Sequence, residues 1–179
     1  MVLHRRYKLN LMNTDTTIRT ELLVGDIGSI VYLHGMLYAK EHNYNHAFEA
    51  YVAEALGQFA KRSKPRERIW VIEQNQQVLG SIALCEVSND IAQLRWFLIS
   101  PELRGQGMGI NLMTSLIRFS LDKNYKTISL WTVQGLDAAK RIYERFGFSL
   151  AREIKHQVWG GMHTEQEYTL DLDDSDANV

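Results

Sequence analysis

Residues 91–133 constrain the fold more than any other part of this 179-residue chain. The run IAQLRWFLIS (91–100) is rich in β-branched and aromatic residues, as a buried strand is. PELRGQGMG (101–109) follows, with glycine at 105, 107 and 109. In GINLMTSLIRFSLDKN, Leu112, Met113, Leu116, Ile117 and Ser120 then recur on one helical face, and KTISLWTV (126–133) returns to a β-rich run. Two strands joined through a helix need a crossover connection, so strand 91–99, helix 107–122 and strand 126–133 are expected to form a unit with parallel pairing.

The remaining segments extend this unit into one mixed sheet. IRTELLVGD (18–26) reads as a first strand closing on the turn signal Gly25-Asp26. Two helices follow, DIGSIVYLHGMLYAKEHNY and NHAFEAYVAEALGQFAKRSK, each with apolar residues at helical spacing, and Pro65 ends the second. Residues 68–100 break at QNQQ and SND into a three-strand meander. LDAAKRIYERFGF is a short helix with Gly147 as its left-handed cap, and FSLAREIKHQVW and HTEQEYTLDL are strands joined through Gly160-Gly161. The order β-αα-βββ-αβ-αβ-β is an α/β fold with a central sheet of about seven strands and about four helices. We expect one domain over 18–172, a loosely ordered arm at 1–17 and a frayed acidic tail at 173–179.

A formal charge of −1 and a pI near 6.6 provide no global pull toward nucleic acid or anionic membrane, so an anion must be held locally. No stretch approaches the ~20 apolar residues of a membrane span. The lone Cys85 lies in an apolar run and suits a reducing, cytoplasmic setting as a buried, inert thiol. His42 and His46 have metal-like spacing without a third ligand nearby, and no metal site is expected. The patch KRSKPRER (61–68) is read as a solvated helix end, with a phosphate contact as the alternative. Pairing of two copies through the C-terminal strands stays open.

Gly105, Gly107 and Gly109 sit where a strand passes into a helix N-terminus. Unpaired amides and the positive end of the helix dipole favour an anion there, and Arg104 adds a charge-assisted donor. A P-loop would need Gly-Lys-Ser/Thr, but Ile110, Asn111 and Leu112 follow Gly109. A dinucleotide fingerprint would need glycine at 110 or 112, and the following strand does not end in a ribose-binding acid. A turn that merely needs flexible residues is the bland alternative.

PELRGQGMG, with Arg104, Gly107 and Gly109, resembles the Arg/Gln-x-x-Gly-x-Gly/Ala acetyl-CoA signature of the GNAT acetyltransferases. AAKRIYERFGF resembles that family's later A-x-x-x-Y-x-x-x-G-F element through Ala139, Tyr143, Gly147 and Phe148. The element order is also that of the GNAT fold. LWT (130–132), AAKRIYERFGF and VWGGMHTEQEYTLDL look most like acetyltransferase modules carried behind MarR-type regulatory domains. Fewer than ~20 residues precede the first strand here, so a stand-alone form without DNA binding is expected.

The resemblance implies an acetyl-CoA-dependent N-acetyltransferase acting on a primary amine by direct attack on the thioester. It implies that backbone groups of Phe97, Leu98 and Ile99, on a strand splayed from its neighbour, face the pantetheine, with a bulge marking the splay. The amides of Arg104, Gly105, Gln106, Gly107, Met108, Gly109 and Ile110 would wrap the pyrophosphate. A backbone N–H near Leu98 would meet the oxyanion, and Tyr143, still protonated at neutral pH, would meet the leaving thiolate.

Two departures from the family pattern matter. Where relatives often carry a strand glutamate as base, this chain has Gln93 and Arg95. Glu41 and His34, with Tyr38 on the same helical face, are the first alternatives, and Glu86 and His156 the next. Where relatives often carry an asparagine seven residues before the tyrosine, there is Leu136, beside which Asp137 is placed along the cofactor channel and as a helix N-cap. The missing glutamate also motivates a second reading, a non-catalytic acyl-CoA-binding sensor.

Overall fold

The computed structural model describes residues 16–62 and 64–172; positions 1–15 and the tail at 173–179 lie outside them. Along the chain run β1 (Thr16–Arg19), α1 (Asp26–His42), α2 (His46–Arg62), β2 (Arg68–Gln74), β3 (Gln77–Glu86), β4 (Ile91–Ile99), α3 (Met108–Asp122), β5 (Thr127–Val133), α4 (Asp137–Arg145), β6 (Ser149–Val158) and β7 (Gly161–Asp171). The seven strands form one sheet in the order β1-β2-β3-β4-β5-β7-β6. The crossover unit is present as expected, with β4 and β5 parallel and all other neighbours antiparallel.

The first strand is shorter than its apolar run suggests. Arg19 grips the buried Asp26 through two bonds of 2.6 Å, and the Leu23 amide donates to the same carboxylate at 2.5 Å. These bonds fold residues 20–25 into a turn, and Gly25 enters α1 with φ 97°. A fork-shaped guanidinium matched to a carboxylate outweighs the β propensity of Leu22 and Val24.

Each face of the sheet has its own core. On one, Leu112, Met113, Leu116 and Ile117 of α3 pack with Ile82, Leu94, Ile128 and Tyr168. On the other, Ile30 of α1 and Phe48, Val52, Leu56 and Phe59 of α2 pack with Ile69, Val71, Ala83 and Trp96. At about 25 cal/mol per Å² of apolar surface, these two interfaces supply most of the drive to cover both faces.

A defect in the sheet creates the site. β4 pairs with β5 only from Ile91↔Thr127 to Leu94↔Leu130, and β4–β3 register shifts between Ser81 and Ala83, opposite Leu98 and Arg95. Trp96 occupies the bulge with φ 48°, a conformation that costs a large side chain energy. The bulge reverses strand parity: Leu94 and Phe97, three apart, both face the α3 core, whereas Trp96 faces the α1–α2 core. Beyond Leu94 the two strands part, and the gap opens a passage through the sheet.

Candidate active site

Two hollows meet at this gap. The larger, a groove of about 620 Å³, is walled by Phe97, Leu98 and Ile99 of β4, by Leu103 to Gly105 and Gly107 to Ile110, by Gly135 to Ala139, and by Leu37, Tyr38 and Glu41 of α1, while the Gln106 side chain turns back to the Glu102 carbonyl at 2.7 Å. The smaller, about 110 Å³, lies on the α1–α2 side and extends to Tyr143. Tyr38, Phe97 and Leu136 line both.

Part of the groove's wall is main chain. Gly105 and Gly107 have φ of 76° and 80°, which only glycine adopts without strain, and space is open where their side chains would be. Gly109 serves packing: a Cβ there would lie 2.8 Å from Ile142 Cδ1 and 3.4 Å from Ile99 Cδ1. α3 therefore sits tight against α4 at the point where it begins. Its N-terminus has no side-chain cap and no acidic residue in the first turn, so its first amides face the groove as unclaimed donors.

Arg104 lines the groove and is held within the protein. Its Nε donates to the Ile99 carbonyl at 3.0 Å, and its guanidinium pairs with Glu41 at 3.0 and 3.2 Å. Glu41 accordingly lines the groove and not the smaller cavity, away from His34. Asp137 lines the groove as the first residue of α4, but makes no side-chain cap bond; Leu136 occupies the cap position.

Backbone direction along β4 also refines the expectation. Leu98 pairs with Ser81 of β3, the Ser100 amide donates to Leu79 at 2.7 Å, and the Leu98 carbonyl would lie 2.8 Å from a Cβ at Gly80. The Leu98 backbone groups therefore turn toward β3, and those of Phe97 and Ile99 turn toward the gap. Leu98 lines the groove, while the amides that face the gap belong to its two neighbours.

Tyr143 is buried between Phe97, Phe148 and Tyr168, with ring centroids 6.0–6.1 Å away. Burial drives its pKa strongly upward, Tyr38 across the gap adds to this, and Thr132 pulls slightly the other way, so the phenol keeps its proton. Burial also pushes Tyr38 up to about 12, helped by Glu41 and opposed by Arg104. His34 is buried and neutral: desolvation pushes its pKa down to about 4, against a 2.8 Å bond between its Nδ1 and the Ile30 carbonyl. That acceptor requires the proton on Nδ1, leaving the Nε2 lone pair free.

Around the smaller cavity stand Tyr44, Phe48, Tyr51, Trp131 and Trp159, with Arg95 and Glu165 as its charged groups. Tyr44 packs on Phe48 and Trp159 at 5.0 and 5.2 Å. The Asn45 amide donates to the Trp159 carbonyl at 3.0 Å, tying the β6–β7 turn to the α1–α2 junction. Glu165 had no local signal in the sequence, since only the pairing of β7 with β5 brings it beside Val133.

Other sequence candidates lie elsewhere. Glu86 pairs with Lys64 and Arg66, Arg62 pairs with Glu67, and Arg66 and Arg68 cover the Tyr125 and Phe119 rings, so this basic stretch is stapled to its own surroundings and not to the groove. His156 pairs with Glu165 behind the cavity wall. Cys85 is buried, its thiol pushed up to about 12 by desolvation. No helix among the described residues is long and apolar enough to cross a membrane.

Residues 31–148, spanning the groove, β4 and Tyr143, match the model of the Acetyltransferase (GNAT) family. The chain belongs to the GNAT acetyltransferase family. An N-acetyltransferase structure from Staphylococcus aureus Mu50 shares this GNAT fold with a TM-score of 0.73, at 18% identity over 89% of this chain and 99% of that one. The yncA structure from Salmonella typhimurium, described with its cofactor acetyl-CoA, has a TM-score of 0.71 at 17% identity over 93% of this chain and 99% of that one. By sequence, the chain is 27% identical over 100 residues to the N-acetylaspartate synthetase of Xenopus tropicalis, covering 55% of this GNAT chain and 37% of that protein. It is 25% identical over 110 residues to an uncharacterized N-acetyltransferase of Archaeoglobus fulgidus, covering 58% of this chain and 70% of that one. The matched segment thus spans little more than a third of the synthetase.

Proposed function

We propose that this GNAT chain transfers an acetyl group from acetyl-CoA to a primary amine of a small molecule or peptide, by direct attack of the amine on the thioester. The observation that carries this reading is the meeting of the groove and the cavity at the β4–β5 gap, with Tyr143 beside it. The groove suits the cofactor chemically: an uncapped helix N-terminus and a glycine-shaped loop for a pyrophosphate, and a free strand edge for an amide-bearing arm.

In this reading Arg104 to Ile110 hold the pyrophosphate, and Asp137 borders the arm. The gap-facing amides of Phe97 and Ile99 stabilise the developing oxyanion. Tyr143 carries its proton in the resting site and gives it to the departing sulfur as the C–S bond breaks, the thiolate's own basicity driving the transfer. The amine must lose one proton to solvent before it attacks and a second as the amide forms. His34, with Nε2 unprotonated, lines the same cavity and takes the second proton, once attack on the thioester has made that nitrogen acidic enough for a weak buried base. Glu41 acts on Arg104 and not on the amine.

Release of CoA thiol across a panel of primary amines tests this. Acceptor-dependent release that falls about 100-fold in Tyr143→Phe, with acetyl-CoA binding intact, is the expected result. Tight acetyl-CoA binding without release on any amine would instead establish the sensor reading.

A further inference from the structure

We propose, building on the reading of the smaller cavity as the amine site, that the acceptor is a small amino acid bound as its zwitterion: Arg95 and Trp96 on the β4 bulge take its carboxylate, Glu165 attracts its ammonium, and the aromatic wall holds an apolar side chain.

The carboxylate end rests on two groups with unused donors. Arg95 takes the place where a base would have been sought, and it makes one bond, from Nη2 to the Tyr51 hydroxyl at 3.1 Å. Its guanidinium lies 4.9 Å from the centroid of the Trp96 ring and has no carboxylate partner among the described residues. Trp96 Nε1 is buried without a partner among the described residues. A buried indole N–H left unpaired is costly, and it stands in the same wall as a cation with free N–H groups. A carboxylate on Arg95 stands beside the Trp96 ring, and a small turn of that ring brings Nε1 to it as a second donor. The strained bulge is what puts Arg95 and Trp96 next to each other on this side of the sheet.

The opposite charge comes from a different strand. Glu165 of β7 lines the cavity, its Oε2 toward His156 and its Oε1 without a partner among the described residues. With His34 neutral, one cation and one anion face the cavity, so a ligand carrying both charges is matched and a plain amine leaves Arg95 and Trp96 unpaired. Tyr44, Phe48 and Trp159 supply apolar surface to the same cavity. A cavity of about 110 Å³ favours a small molecule over a folded protein surface.

The test uses the full chain with acetyl-CoA and a panel of α- and ω-amino acids, each beside its decarboxylated amine, for instance leucine with isoamylamine and phenylalanine with phenethylamine. At least one amino acid should exceed its amine about 10-fold or more in kcat/KM. Arg95→Gln should lower kcat/KM for the amino acid at least about 10-fold more than for its amine, and Arg95→Lys should restore part of the difference. Amines turned over as well as every amino acid, or an Arg95→Gln variant that slows both alike, would overturn the proposal. Should no acceptor release CoA, acetyl transfer itself fails and thermal shifts of the CoA-loaded protein decide the site. An amino acid that raises Tm where its amine does not, with the difference lost in Arg95→Gln, supports the zwitterion site; equal shifts, or none, overturn it.

Discussion

The groove and the cavity are adjacent halves of one cleft made of different materials. The groove is large and open, and besides side chains it offers main-chain amides along one wall, at Gly105, Gly107 and the N-terminus of α3. The cavity is small, and its contacts are side chains brought together from α1, α2, β4, β5, β7 and the β6–β7 turn. A backbone-built site tolerates change in most side chains around it and needs particular residues only where φ is positive or packing is tight. A side-chain-built site changes character with each lining residue. The same fold can therefore keep one ligand and exchange the other, which is how a GNAT domain holds acetyl-CoA in common while acceptors differ.

Substitutions in each half should break different quantities. The largest effect is expected at the junction: Tyr143→Phe should lower kcat about 100-fold or more with the acetyl-CoA KM within about twofold, read by steady-state CoA release. A KM increase with kcat unchanged would move Tyr143 from the chemistry to the groove.

Next is His34 in the cavity. Above pH 6.5 its imidazole is neutral in folded and unfolded chains alike; as pH falls from 6.5 toward 4 only the unfolded chain takes up the proton, so stability is lost across that window. A shift of this size corresponds to about 3 kcal/mol at full extent. Thermal unfolding at pH 7.5 and pH 5 should show a smaller acid penalty in His34→Gln than in the parent chain; equal penalties would contradict the buried neutral state.

In the groove, Gly107→Ala forces a Cβ into φ 80° and should cost about 1–2 kcal/mol in denaturant unfolding. It should also raise the acetyl-CoA KM with little change in any acceptor KM. A rise in acceptor KM alone would mean that the two halves are not separable.

The smallest effect belongs to the Glu41–Arg104 pair. Both side chains are partly exposed, so the pair contributes little stability, under about 1 kcal/mol. Glu41→Gln releases Arg104 and removes a negative charge from the groove, so calorimetric acetyl-CoA affinity should tighten a few-fold. Weaker binding would show that Glu41 holds Arg104 in its working position.

The contrast between halves also explains what was legible in the sequence. The crossover unit, the meander and the glycine loop are local patterns, in which spacing over a few residues sets the geometry. So is the Tyr143 helix, though its role in the site came from resemblance. The short β1 was not legible, because its end depends on Arg19 reaching Asp26 across a turn. Glu41 and His34 share a helical spacing, yet one lines the groove and the other the cavity, because the gap lies between their positions along α1. Leu98 was separated from Phe97 and Ile99 only by the β3 ladder, which shows which backbone groups are already engaged. The places of Glu165 and Arg95 on the cavity depend on strand order and on the parity flip at Trp96, which no local pattern carries.

Amide hydrogen exchange with and without CoA tests the two-part cleft most directly. The account predicts new protection at residues 104–110 and at Phe97 and Ile99, where free amides meet the ligand, and none at residues 159–165 across the cavity. Protection of 159–165 with none at 104–110 would contradict it.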